Sequence, residues 1–154
     1  MTETKATTAE APGRLPPSWF IRAAWMVHRA IYRFTGGRRG LWKATPARWG
    51  TLRLRSIGRK SGKERIAILG YYEDGANLVT LAMNGWMAPE PAWWLNLQAK
   101  PDATVELKGE TRAVRARAAH GEERERLWAM FSEAKKFAAR RPNETAVVVL
   151  EPLP

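Results

Sequence analysis

The chain contains no cysteine, which excludes disulfides, thiolate nucleophiles and cysteine-ligated zinc, and suits a reducing cytoplasm. Histidine is nearly absent as well. His28 and His120 are the two imidazoles, far apart and without a carboxylate or second histidine at ligand spacing, so no metal centre is expected. No apolar run reaches the roughly 20 residues that cross a bilayer, and the best candidate, residues 19–34, carries three arginines. The opening MTETKATTAEAPGRLPP has no apolar segment of the kind a secretory signal requires. Acidic residues are few: 15 Asp and Glu stand against 26 Lys and Arg, a net charge of +11. Such an excess points to an anionic partner, whether a phosphate, a polycarboxylate, a nucleic acid or a membrane surface. No Ser-His-Asp set and no paired-carboxylate motif stands out.

A length of 154 residues fits one domain with its own core. Residues 1–16 mix Thr, Ala, Glu and Pro without periodicity and are expected to form a disordered leader, leaving 17–154 as a single domain. Within it, 17–36 reads as a helix. Phe20, Ala24, Val27, Ile31 and Phe34 recur at helical spacing, Ile21, Trp25 and Tyr32 widen the stripe, and Arg22, Arg29 and Arg33 align opposite. Two readings of this basic amphipathic helix stay open: a cover laid over a barrel, or a helix lying on an anionic membrane at the inner face. Residues 35–50, rich in Gly, Arg and Trp, read as a long loop.

Beyond residue 50 the period changes to two. Strands are predicted over 51–57, 65–72, 77–83, 104–107, 111–118 and 146–151, with Asp74-Gly75 and Lys108-Gly109 as hairpin turns. Helices are predicted over 91–99 and 122–139, the second with Leu127, Met130, Phe131 and Ala134 as its stripe. Short, turn-linked strands with few helices predict a mainly β fold with α, an antiparallel split β-barrel carrying the N-terminal helix and two further helices.

Two stretches carry chemistry. In 54-LRSIGRKSGKERIAILGYY-72, strand residues enter a basic turn and leave as another strand. Gly58 and Gly62 let the backbone approach a ligand, Arg59, Lys60 and Lys63 add charge, and Ser61 adds a hydroxyl donor. Arginine suits bidentate contact with phosphate or carboxylate, and lysine acts as a point charge. A solvated basic turn has the same composition, so residues 58–65 alone leave binding open. The second stretch is 80-TLAMNGWMAPEPAWWLNLQAKPDATVEL-107, where Asn84-Gly85 closes a strand and Pro91 opens a helix bearing Trp93, Trp94 and Asn96. Either this helix offers an aromatic and amide cluster to a planar, tailed cofactor, or Trp93 and Leu97 plug the barrel end while Trp94 and Asn96 are exposed or cap a loop.

The order GRKSGK-x-R, a hairpin into MNG, then PAWWLNLQAKPDATVEL and a final helix before TAVVVLEP, resembles the deazaflavin-dependent nitroreductase family over residues 18–154. Members are actinobacterial split-barrel reductases that use coenzyme F420, an 8-hydroxy-5-deazaflavin. The resemblance implies an F420H2-dependent oxidoreductase that transfers a hydride from C5 of the deazaflavin to an electron-poor planar acceptor, a quinone or nitro compound. It assigns the cofactor's phosphate and oligoglutamate tail to Arg59, Lys60, Ser61, Gly62 and Arg65, and further contacts to Asn84, Gly85, Ala92, Trp93 and Asn96. No catalytic side chain is implied, because the cofactor carries the chemistry. A homodimer is compatible with the family.

Departures are also visible. Where relatives carry Gly-Gly and then a Lys or His before the proline, this chain has Gly85-Trp86 and Pro89-Glu90-Pro91, which narrows the entrance or repels part of an anionic ligand. The tyrosines that line the acceptor pocket in characterised members are missing: Phe131 and Phe137 are the aromatics after Trp128, and a phenyl ring donates no proton. The alternatives are an FMN- or haem-binding split barrel and a basic nucleic-acid-binding barrel. No strand shows the exposed aromatic platform of the latter, so nucleic acid is not an expected partner.

Overall fold

The computed structural model describes residues 17–34 and 40–154, leaving aside the side chains of residues 28, 29 and 31–34. The expected leader and residues 35–39 of the first loop lie outside the described residues, as do the side-chain assignments to Arg29, Ile31, Tyr32, Arg33 and Phe34. In chain order the elements are α1 (Ser18–Phe34), β1 (Gly50–Ile57), β2 (Glu64–Asp74), β3 (Asn77–Leu81), α2 (Ala92–Ala99), β4 (Asp102–Leu107), β5 (Glu110–Ala118), α3 (Gly121–Trp128), α4 (Ala134–Ala138) and β6 (Val147–Pro152).

The six strands close an antiparallel barrel in the order β1-β2-β3-β6-β5-β4, β1 returning onto β4 with Leu54 opposite Val105. Alternation dictates what faces in. Leu52 and Leu54 are buried and join Leu69, Tyr71, Val105, Val114, Val148 and Leu150 in the interior cluster, while Arg53 and Arg55 on the outer face share Glu106 at 3.1 and 2.6 Å. Each such apolar side chain, fully buried, contributes about 1.5–3 kcal/mol. Residues 147–150 of β6 have no polar face because both sides are covered. Val148 and Leu150 point inward, whereas Val147 and Val149 meet Leu127 of α3 and Ala134 of α4 in an outer cluster.

Two expected boundaries differ. The helix predicted over 122–139 is broken: after Trp128 the hydrogen bonds tighten, Met130 N–H donating to Leu127 O at 3.1 Å and Phe131 N–H to Trp128 O at 3.0 Å. The bend seats Phe131 edge-on against Tyr72 of β2, centroids 5.1 Å apart, so tertiary contact overrides a continuous helical stripe, and three helices follow α1 instead of two. Strand β3 stops at Leu81, because Ala82 N–H donates across to Ala146 O (2.9 Å) and Met83 N–H turns back to Leu81 O (2.9 Å).

Candidate functional site

Between β1 and β2 the basic turn is built by its own backbone. Gly58 N–H donates to Lys63 O and Gly62 N–H to Gly58 O, each at 2.8 Å. Gly62 has φ +69°, a left-handed conformation that glycine takes without the penalty other residues incur. The Ser61 hydroxyl oxygen accepts from Lys63 N–H at 3.2 Å and from Arg65 Nη2 at 3.3 Å. Arg59, Lys60, Lys63 and Arg65 are all exposed. Among the described residues none of the four forms an ion pair, although arginines elsewhere on the barrel and on α3 do: Arg115 meets Asp102 at 2.6 Å, Arg117 meets Glu151 at 2.6 Å, and Arg126 of α3 meets Asp74 at 2.8 Å. Local carboxylates thus neutralise much of the basic charge elsewhere and leave it available at the turn.

The turn is anchored from α2. Asn96, 4% exposed, accepts at Oδ1 from the Arg59 backbone N–H (3.1 Å) and from Arg59 Nη1 (3.4 Å). Asn96 therefore meets the turn directly, from beneath it. Along the same helix, Trp93, Trp94 and Leu97 are buried in the interior cluster, and Ala92 is exposed. The plug expected of Trp93 and Leu97 is present. The exposure expected of Trp94 and Asn96 in that reading is not, because both turn inward.

The segment that leads into α2 forms the second arm. Asn84 is exposed, and Met87 N–H donates to Asn84 O at 3.1 Å to close a turn whose central residues Gly85 and Trp86 have φ +57° and +63°. Gly85 also admits a neighbour: a Cβ there would lie 3.0 Å from Ile21 Cγ2 of α1. Trp86 is a bulky residue in a conformation that costs roughly 1–3 kcal/mol, and its indole stacks on Phe137 of α4, centroids 6.2 Å apart at 25°.

Beneath this turn lies a residue that sequence reasoning missed. Arg141, its side chain 0% exposed, donates to Ala82 O (3.1 Å), Met87 O (3.1 Å), Thr145 Oγ1 (2.8 Å) and Glu90 Oε1 (3.1 Å). It ties both shoulders of the turn at 84–87 to the segment after α4. An arginine before Pro142 gave no signal of burial. Two phenols are described elsewhere: Tyr72 of β2 packs edge-on against Phe131, and Tyr71 is 1% exposed inside the barrel, its hydroxyl accepting from Ala44 N–H at 3.4 Å, with burial pushing its pKa above the ordinary value and outweighing that bond.

The F420H(2)-dependent quinone reductase family matches residues 25–152. The chain belongs to that family. An F420H(2)-dependent quinone reductase of Mycobacterium tuberculosis is 30% identical over 131 residues, 80% of this chain and 87% of its own length. A similarly named protein of the same organism is 40% identical over 78 residues, which span 51% of this chain and 66% of that relative. Among solved structures, an F420-H2 dependent reductase aligns with a TM-score of 0.60 at 26% identity, covering 66% of this chain and 93% of that one. The haem storage protein HutZ of Vibrio cholerae aligns at 0.51 and 13% identity, covering 82% and 89%, and shows the split-barrel fold alone. The protein is therefore an F420-dependent oxidoreductase, as the motif order implied. Its residues fit that cofactor: a polyanionic tail needs cations free of carboxylates, and the reductase holds four of them on one preformed turn.

Proposed function

We propose that this reductase passes a hydride from reduced F420 to a planar, apolar quinone, with the cofactor's phosphate and oligoglutamate tail held by Arg59, Lys60, Ser61, Gly62 and Arg65. The supporting observation is the unpaired, Asn96-anchored turn. Asn84 and Gly85, on the segment between β3 and α2, and Ala92, at the start of α2, supply the further cofactor contacts, while the buried Trp93 and Asn96 support the site, Asn96 through Arg59. When bound, the reduced deazaflavin supplies a hydride and a proton, and the quinone becomes the hydroquinone. The chain's own part is to grip, orient and exclude water. Anaerobic mixing of the enzyme with F420H2 and menadione tests this reading: the expected result is protein-dependent oxidation of the deazaflavin with hydroquinone formed one for one, and no oxidation above the protein-free rate would reject it.

The N-terminal helix bears on where the acceptor resides. On α1, Trp19, Phe20, Met26 and Val27 are 68%, 52%, 67% and 59% exposed, so these apolar side chains do not cover the barrel; Ile21 makes the contact to Gly85. No described helix is long and apolar enough to cross a membrane. A helix with exposed Trp and Phe beside arginine suits the interface of an anionic bilayer, which holds apolar quinones. The double substitution Phe20→Glu/Val27→Glu is expected to weaken association with phosphatidylglycerol vesicles about tenfold, measured by cosedimentation; undiminished binding would remove the membrane role.

A further inference from the structure

The turn at 84–87 is unusual for the residue it presents. Consecutive positive φ values are the pattern that glycine and asparagine fill, yet the second position here is Trp86. Its indole is half-buried and lies near-parallel to Phe137, so the turn holds up a flat aromatic plate directly after Gly85. Arg141 fixes the plate's footing by binding Ala82 O before the turn and Met87 O at its end. The half-buried indole also packs against the outer cluster around Val79 and Leu81. A strained aromatic side chain, stacked on Phe137 and placed directly after Gly85, keeps its exposed part for a second ring.

We propose that Trp86 is a specificity-determining residue of the reductase, forming with Phe137 the aromatic wall against which a planar acceptor stacks. An electron-rich indole face favours an electron-poor quinone ring, and it favours two fused rings over one because the overlap is larger. This inference rests on the quinone reading above and adds the residue that sets acceptor size.

The test compares menadione with benzoquinone in wild type, Trp86→Gly and Trp86→Phe. Glycine adopts the positive φ freely, so the turn persists without the plate. In Trp86→Gly the kcat/KM ratio of menadione to benzoquinone is expected to fall about three- to tenfold, and less in Trp86→Phe, with the Kd for F420 within about twofold of wild type. Equilibrium dialysis of menadione against protein loaded with oxidised F420 is expected to show a matching three- to tenfold loss in Trp86→Gly. An unchanged ratio together with unchanged menadione binding overturns the proposal. So does weakened F420 binding with the acceptor ratio intact, which would place Trp86 against the cofactor. If wild type reduces neither quinone the function reading fails, and the dialysis result still decides whether Trp86 contacts a planar ring.

Discussion

Replacing Arg141 by methionine is expected to destabilise the reductase by about 3 kcal/mol, or roughly 6–12 °C in thermal midpoint. The guanidinium is 0% exposed and paired with a Glu90 side chain that is 28% exposed, and one Glu90 oxygen is already buried without a hydrogen-bond partner. Removing the cation strands the carboxylate and leaves Ala82 O and Met87 O without their side-chain donor, a large penalty relative to the typical surface substitution. Adding Glu90→Gln to the variant should recover part of the loss, because a neutral amide tolerates the site better than an unpaired anion. Urea denaturation checks both steps: a single variant less than 1 kcal/mol below wild type, or a double variant no better than the single, would show that Arg141 does not hold this loop through charge pairing.

The second large effect falls on ligand affinity. Lys60→Ala and Arg65→Ala are each expected to weaken F420 binding by about 1.5–3 kcal/mol, roughly tenfold to 150-fold, the value of a charge-assisted hydrogen bond to an anion. Stability should hardly change, because both side chains are exposed and neither forms an ion pair among the described residues. Asn96→Leu should behave differently: it removes the acceptor for Arg59 N–H from a buried position, so both affinity and stability should fall. Isothermal titration beside thermal melts separates the two patterns. Wild-type affinity in both Lys60→Ala and Arg65→Ala would mean that the tail binds elsewhere.

Much of the barrel was legible because alternation is local information: Leu52 and Leu54 against Arg53 and Arg55 needs no partner to be read, and a glycine-punctuated run of cations is visible as a string. The identity of the family was legible from two motifs in register, a stronger signal than either alone. What escaped depends on contacts between residues distant in sequence. The break after Trp128 is driven by Phe131 meeting Tyr72, which a helical stripe cannot reveal. Asn96 reads in sequence as a surface or ligand amide, and its bond to Arg59 depends on a residue 37 positions away; Arg141 carries no sequence signal of its buried contacts with Ala82 and Met87. The exposed apolar side of α1 was ambiguous for the same reason: periodicity shows that a face is apolar and is silent on what covers it.

If the turn at 58–65 is built for the polyanionic tail of F420, a fluorescence titration of the purified protein with F420 beside FMN at physiological salt will reveal it. Saturable F420 binding in the micromolar range or tighter is expected, with clearly weaker FMN binding and an F420 affinity that declines as added salt screens the tail. FMN binding as tight as F420, or no saturation by F420, would contradict it.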